Sequence, residues 1–222
     1  MEFVTLTAIQ IWVMSTAILS HGEHAGHVKA PPETCRFGMI TFLASEAMLF
    51  SGLIGGYIVL RLARGEPWPP AGAPDIGVQW PLSALNLIMI ANTFVLVGSS
   101  FLFHNAESAI KKKGKSGLFW LFATIVAGSI FLSVQAWEWN HLHHEGLWFD
   151  KHGIYGSCFF VMTGFHGAHV FIGILLILWC YLRQLLTRYY RPGRTTSLDN
   201  IGLYWHFVDV VWIFLFTILY VL

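Results

Sequence analysis

The chain has 222 residues, of which 55% are hydrophobic and 11% charged, at a mean hydropathy of +0.60. Soluble domains carry about 25% charged residues, so this composition excludes an ordinary soluble domain and points to a bilayer. The formal net charge of +1 argues against a nucleic-acid surface, and three scattered cysteines, Cys35, Cys158 and Cys180, supply neither a disulfide framework nor a thiolate metal site.

Residues 3–20 form a moderately apolar run broken by Thr5, Thr7, Gln10, Ser15 and Thr16. At ~1.5 Å per residue it barely reaches across the hydrocarbon, so a spanning helix and an interfacial one are both open. Glu2 stands where a secretory signal would want a basic residue. Next come His21, His24 and His27 at three-residue spacing, followed by Pro31 and Pro32. His-rich tracts can bind copper, nickel or zinc. No convincing carboxylate or thiolate completes a set here, and the glycines and prolines oppose a stable helix, so the tract reads as a polar linker. Residues 1–34 are thus an apolar segment with a His-containing linker, and residues 35–222 one membrane domain.

That domain holds five stronger spans, at 37–62, 81–103, 118–139, 154–182 and 201–222. Each meets the requirement of about 20 apolar residues for crossing a bilayer. A helix satisfies its own backbone groups in lipid, and the connecting loops are short. The expected fold is therefore all-α, a polytopic up-and-down bundle. Loop charges set its orientation. Placing Lys111, Lys112, Lys113, Lys115, Arg183, Arg188, Arg191 and Arg194 inside brings Lys29 and Arg36 with them, against Arg61, Arg64 and Lys151 outside. The positive-inside rule then puts the C-terminus outside. It also weighs against residues 3–20 being a cleaved export signal.

Ionisable residues inside these spans stand out, because each costs roughly 2.5–3.5 kcal/mol at a bilayer centre. His206 and Asp209 sit three apart on one face of the fifth span. Counting rise from the loops at ~1.5 Å per residue places Glu46, His166, His169, His206 and Asp209 in one stratum of the inner half. Glu138, with Gln135, ends near the outer interface and stands apart from them. Three readings of the stratum compete. The groups can hydrogen-bond between helices and fix the packing. They can handle protons, with histidine near its switching range. Or His166 and His169, with Glu46 or Asp209, can bind a metal, although nothing in the spacing fixes convergence.

The loop after the third span carries His141, His143, His144 and His152 with Glu145 and Asp150. Membrane di-iron enzymes use several spaced histidine boxes; this spacing differs and no further box exists, so the loop reads as a contact surface. Gly52 with Gly56, and Gly164, Gly167 and Gly173, have the small-residue spacing that lets helices approach closely. Asn92, near the middle of the second span, calls for an interhelical partner.

Several stretches carry a family likeness. Tyr204-Trp-His-Phe-Val-Asp-Val-Val-Trp212 resembles the closing signature of subunit III of the haem–copper oxidases, cytochrome c oxidase in particular. The run from Tyr155 to Val170, with Thr163-Gly-Phe-His166 and His169, is similar to the same family's fourth-span pattern, and Ser45-Glu46-Ala-Met-Leu-Phe50 to its serine–glutamate motif. Trp68-Pro-Pro70, Asn92-Thr93, Ser99-Ser100, Gln135 with Glu138, and Arg183-Gln184-Leu185 add to it in the family's order. The long form of the family has seven helices; the five here resemble the short bacterial form, and residues 1–34 match nothing in it.

The resemblance implies a subunit with no catalytic centre or cofactor of its own, haem and copper lying on partner subunits. It implies packing on subunit I, with subunit II and small subunits in the same complex, and a place in the bacterial cytoplasmic membrane. It further implies phospholipid binding and support of proton uptake and durable turnover. Glu46 corresponds to the family's intramembrane glutamate and Arg183 to an arginine that holds an anionic lipid headgroup. The alternatives are the third subunit of a quinol oxidase, an accessory subunit of nitric oxide reductase and, from another class, a self-sufficient membrane metalloenzyme.

Overall fold

The computed structural model describes residues 32–63, 68–70, 72–74, 76–77, 84–112, 116–149, 154–190 and 195–221. The apolar run at 3–20, the tract of His21, His24 and His27, and Lys29, Arg64, Lys113, Lys115, Asp150, Lys151, His152, Arg191 and Arg194 lie outside the described residues.

The described chain is helical and without strands. α1 spans Pro32–Ala63, α2 Ala84–Lys111, α3 Gly117–His144, α4 Ile154–Thr187 and α5 Thr196–Phe216, which continues into a π-helical turn at Thr217–Val221. These five helices are long and apolar enough to cross a membrane. Most run past the predicted spans. At 28 to 34 residues, α1 to α4 reach roughly 42–51 Å, against a hydrocarbon core of about 30 Å. The surplus is polar: His104 to Lys111 extends α2, and His141, His143 and His144 form the last turns of α3 rather than a loop. Apolarity marks where a helix crosses lipid, while its hydrogen-bond ladder continues into the interface.

α2, α3, α4 and α5 each pack on the next, and α5 returns against α2, closing a four-helix ring. Its interior holds Phe103, Phe131, Phe159, Trp205 and Trp212, all essentially buried. Two glycines make room for the largest of these. A Cβ at Gly173 would lie 2.7 Å from the Trp205 ring, and one at Gly128 would lie 2.9 Å from it. The close approach expected of the fourth span is therefore present. The one expected at Gly52 and Gly56 is absent among the described residues, where a Cβ at either meets nothing within 4 Å. Outward, the helices present Met48, Leu62, Phe94, Phe101, Phe119, Phe171, Leu186 and Phe214, the apolar exterior that a bilayer requires.

α1 meets the ring through side chains. Phe42 stacks on Tyr204 at 6.3 Å and Phe50 sets its ring edge to His169 at 5.1 Å. Near its end, Tyr57 accepts a hydrogen bond from Trp68 Nε1 at 3.0 Å, and Trp68 packs edge-on against Tyr155 of α4. At the other end Asn200 Nδ2 donates to the Cys35 carbonyl at 3.3 Å.

Candidate functional site

Glu46, on the face of α1 turned toward α4, is 6% exposed. Its Oε2 lies 2.9 Å from Nε2 of His169. The other ring nitrogen, Nδ1, lies 2.7 Å from the carbonyl oxygen of Phe165 one turn back on α4. A carbonyl only accepts, so Nδ1 carries a proton and donates it. The gap between Nε2 and Oε2 then holds one further proton. Placed on the histidine it gives an imidazolium–carboxylate pair; placed on the glutamate it gives a neutral imidazole and a carboxylic acid. Either way the pair has no net charge, which keeps it tolerable in lipid. Tyr204 of α5 donates from its hydroxyl to the His169 carbonyl at 3.0 Å, so three helices meet at this residue.

His206 and Asp209 of α5 face α2 instead. Both touch one hydroxyl. Ser100 Oγ lies 2.8 Å from His206 Nδ1 and hydrogen-bonds Asp209 Oδ2. Asp209 is 5% exposed, and its Oδ1 meets no hydrogen-bond partner among the described residues. On either side of this contact the indoles of α5 grip α2: Trp205 Nε1 donates to Ser99 Oγ at 2.9 Å and Trp212 Nε1 to Thr93 Oγ1 at 3.1 Å. Below it, Lys111 pairs with Glu107 and reaches Asp199 Oδ1 at 3.2 Å, tying the end of α2 to the start of α5.

The stratum drawn from the sequence therefore divides into two seams, α1–α4 and α2–α5. His166 joins neither. Its ring stacks on Trp212 at 4.8 Å beside the edge of Phe131, and neither nitrogen has a hydrogen-bond partner among the described residues. Among the described residues, no three His, Cys, Asp or Glu side chains gather to hold a metal ion. Glu138, 1% exposed, is paired separately: Tyr220 in the π-helical turn lies 2.9 and 3.1 Å from its two oxygens. Asn92 finds its partner across the ring, donating to the Phe131 carbonyl at 3.2 Å, and Gln135 donates to the Thr163 carbonyl at 2.8 Å.

Arg183 sits near the end of α4, where the chain folds back. The helix stops at Thr187; Arg188 takes a left-handed φ of 47° and donates its N–H to the Gln184 carbonyl at 3.0 Å. Gln184 Oε1 then accepts from the Tyr190 N–H at 2.8 Å, and the Tyr190 hydroxyl lies 3.1 Å from Cys180 Sγ. Burial there pushes the Tyr190 hydroxyl well above its ordinary pKa, so it stays protonated. This fold-back brings Tyr189 over Arg183, whose guanidinium lies 3.6 Å from that ring centroid and 4.9 Å from that of Trp179. On α3, His141 pairs with Glu145 at 3.3 Å, and His143 packs on Trp148.

Ser100, Tyr204 and the Phe165 carbonyl are the site groups that sequence reading left without a role. Ser100 had a readable signal: with His104, Glu107 and Lys111 it forms a polar stripe at helical spacing of four, three and four.

The family described as cytochrome c oxidase subunit III matches this chain over residues 1–222, taking in residues 1–34, where no motif of the family was expected. A cytochrome c oxidase subunit 3 from Thermostichus vulcanus is 40% identical over 197 residues, covering 88% of this chain and 91% of that protein. One from Synechocystis sp. is 38% identical over 209 residues, covering 91% and 80%. A probable cytochrome c oxidase subunit 3 from Nocardia farcinica is 35% identical over 212 residues, covering 93% and 98%. With five membrane-length helices among the described residues and a family match over residues 1–222, the chain belongs to the cytochrome c oxidase subunit III family.

Proposed function

We propose that this chain is the non-redox third subunit of a proton-pumping terminal oxidase in a bacterial cytoplasmic membrane. In this reading it packs on subunit I, holds phospholipid, and supports proton uptake and durability during turnover, while haem and copper reside on the partner subunits. The observation that carries the proposal is the Glu46–His169 pair, a buried carboxyl and imidazole 2.9 Å apart. With the positive-inside orientation, both residues fall in the inner half, the side from which an oxidase draws protons, and the C-terminus falls on the periplasmic side. Arg183 then stands at the inner end of α4, where anionic headgroups gather.

Glu46→Ala in the purified complex is expected to leave assembly largely intact and to shorten the time over which turnover and proton pumping persist. Unchanged turnover lifetime and proton stoichiometry would remove Glu46 from this role. Arg183→Ala is expected to deplete anionic phospholipid from the purified complex, as read by lipid mass spectrometry. An unchanged lipid complement counts against the headgroup role. Co-purification of a dicopper-bearing second subunit separates cytochrome c from quinol as the electron donor.

A further inference from the structure

We infer that Ser100, His206 and Asp209 form a proton relay at the α2–α5 seam, filled from the end where Glu107, Lys111 and Asp199 meet. The seam is separate from Glu46, and the inference does not depend on the role proposed for that residue.

The central observation is a single hydroxyl between two titratable groups. Ser100 has one proton to donate and touches both His206 Nδ1 and Asp209 Oδ2. Two hydrogen-bond orders satisfy this geometry. In the first, Asp209 is a carboxylate, Ser100 donates to Oδ2, and His206 Nδ1–H donates to Ser100. In the second, Asp209 Oδ2–H donates to Ser100 and Ser100 donates to a bare Nδ1. They differ by two short shifts: the Nδ1 proton moves to Oγ as the Oγ proton moves to Oδ2. When a proton arrives at His206 Nε2 and the chain shifts, the net result is one proton delivered to Asp209 and a neutral Nε2–H imidazole left behind. Once Asp209 is deprotonated the Ser100 hydroxyl turns back toward Oδ2, and the chain is reset when His206 exchanges its Nε2–H for the Nδ1–H tautomer, losing one proton to water and gaining another.

Two further features separate this from a static clamp. A clamp engages all its polar atoms when buried, as Glu138 does with both oxygens facing Tyr220. Asp209 is equally enclosed, yet Oδ1 has no partner among the described residues. The seam also leads outward. On α2, Ser100, His104, Glu107 and Lys111 share a face; on α5, Asp199, Gly202, His206 and Asp209 do so. Gly202, lacking a side chain, lets the helices close up: a Cβ there would lie 2.8 Å from Phe103 and 3.6 Å from Glu107 Oε2. Glu107 is therefore about one turn from His206, and both Glu107 and His104 lie within its electrostatic reach. Side-chain exposure is 44% at Lys111 and 40% at Asp199, and 19% at Glu107. Asp209 lies ten residues from Asp199, about 15 Å along α5. The titratable groups thus run from an accessible end to a buried carboxyl.

Infrared difference spectroscopy on the purified oxidase complex tests this by following hydrogen–deuterium exchange at the Asp209 carboxyl. The C=O band is assigned by its loss in Asp209→Asn or, if that variant fails to assemble, by its shift in Asp209→Glu. Ser100→Ala is expected to slow exchange by roughly a hundredfold, the lower end of what a positioned proton-transfer group contributes. Ser100→Thr, which keeps the hydroxyl, should restore it, and Glu107→Gln should slow it less. Equal exchange rates in wild type and Ser100→Ala overturn the relay. So does a wild-type Asp209 that shows no carboxylic-acid band at any pH. Failure of Glu46→Ala to affect turnover leaves these readouts untouched.

Discussion

In the ring of α2–α5, large rings occupy gaps that glycines leave open, whereas α1 is joined to that ring by polar and aromatic contacts at separate points. Trp205 fills space against Gly128 and Gly173. Among the described residues, a Cβ at Gly52, Gly55 or Gly56 of α1 meets nothing within 4 Å, and the Glu46–His169 pair is the one buried hydrogen bond from α1 to the ring. Lipid tails are as apolar as leucine, so helices in a bilayer associate through shape, hydrogen bonds and lipid entropy rather than hydrophobic exclusion. The ring combines shape with the interhelical hydrogen bonds of Asn92, Gln135, Trp205 and Trp212, whereas α1 relies on hydrogen bonds and ring contacts.

The largest effect should come from emptying the ring. Trp205→Ala removes a fully buried indole together with its hydrogen bond to Ser99, and is expected to cost about 3–5 kcal/mol, read by thermal or denaturant melting of the complex. Near-wild-type stability would show that the ring is not held by shape. Gly173→Ala pushes a methyl group to within 2.7 Å of that indole and should cost roughly 1–3 kcal/mol by overpacking. For α1 the informative quantity is a coupling. A double-mutant cycle on Glu46→Gln and His169→Phe should return about 0.6–1.7 kcal/mol, the span measured for interhelical hydrogen bonds in membranes. Additive single effects would mean that the pair does not tie α1 to α4. The smallest effect belongs to Gly52→Ala, expected within about 0.5 kcal/mol in the stability of this chain. A large loss there would reveal close packing that the ring alone does not supply.

The five crossings were legible because a run of about 20 apolar residues has few other uses. Their ends were not: Lys111 and His144 continue helices whose apolar stretch has already stopped. Glu46, His169, His206 and Asp209 were legible as intramembrane ionisable groups, since their cost demands partners. Which partner each takes was beyond reach of depth counting. Rise along a helix gives height but not rotation about the bundle, so residues at one height fell into a single stratum although they face different neighbours. The partner of His206 and Asp209 is Ser100, which the sequence marked as part of a motif but whose contacts depth counting does not give. The glycines show the same limit: spacing flagged Gly52 and Gly173 alike, and among the described residues only the second has a close neighbour to meet.

Arg183 carries a consequence for rotational freedom. An arginine side chain has about 2 kcal/mol of rotamer entropy, part of which is lost whenever it grips something. With the Tyr189 ring centroid 3.6 Å from its guanidinium carbon and that of Trp179 at 4.9 Å, that freedom is already reduced before the proposed headgroup arrives. The guanidinium also offers N–H donors in a fork that matches carboxylate or phosphate oxygens. A group held this way loses less freedom on binding. Lysine at this position would keep the charge and forfeit both properties.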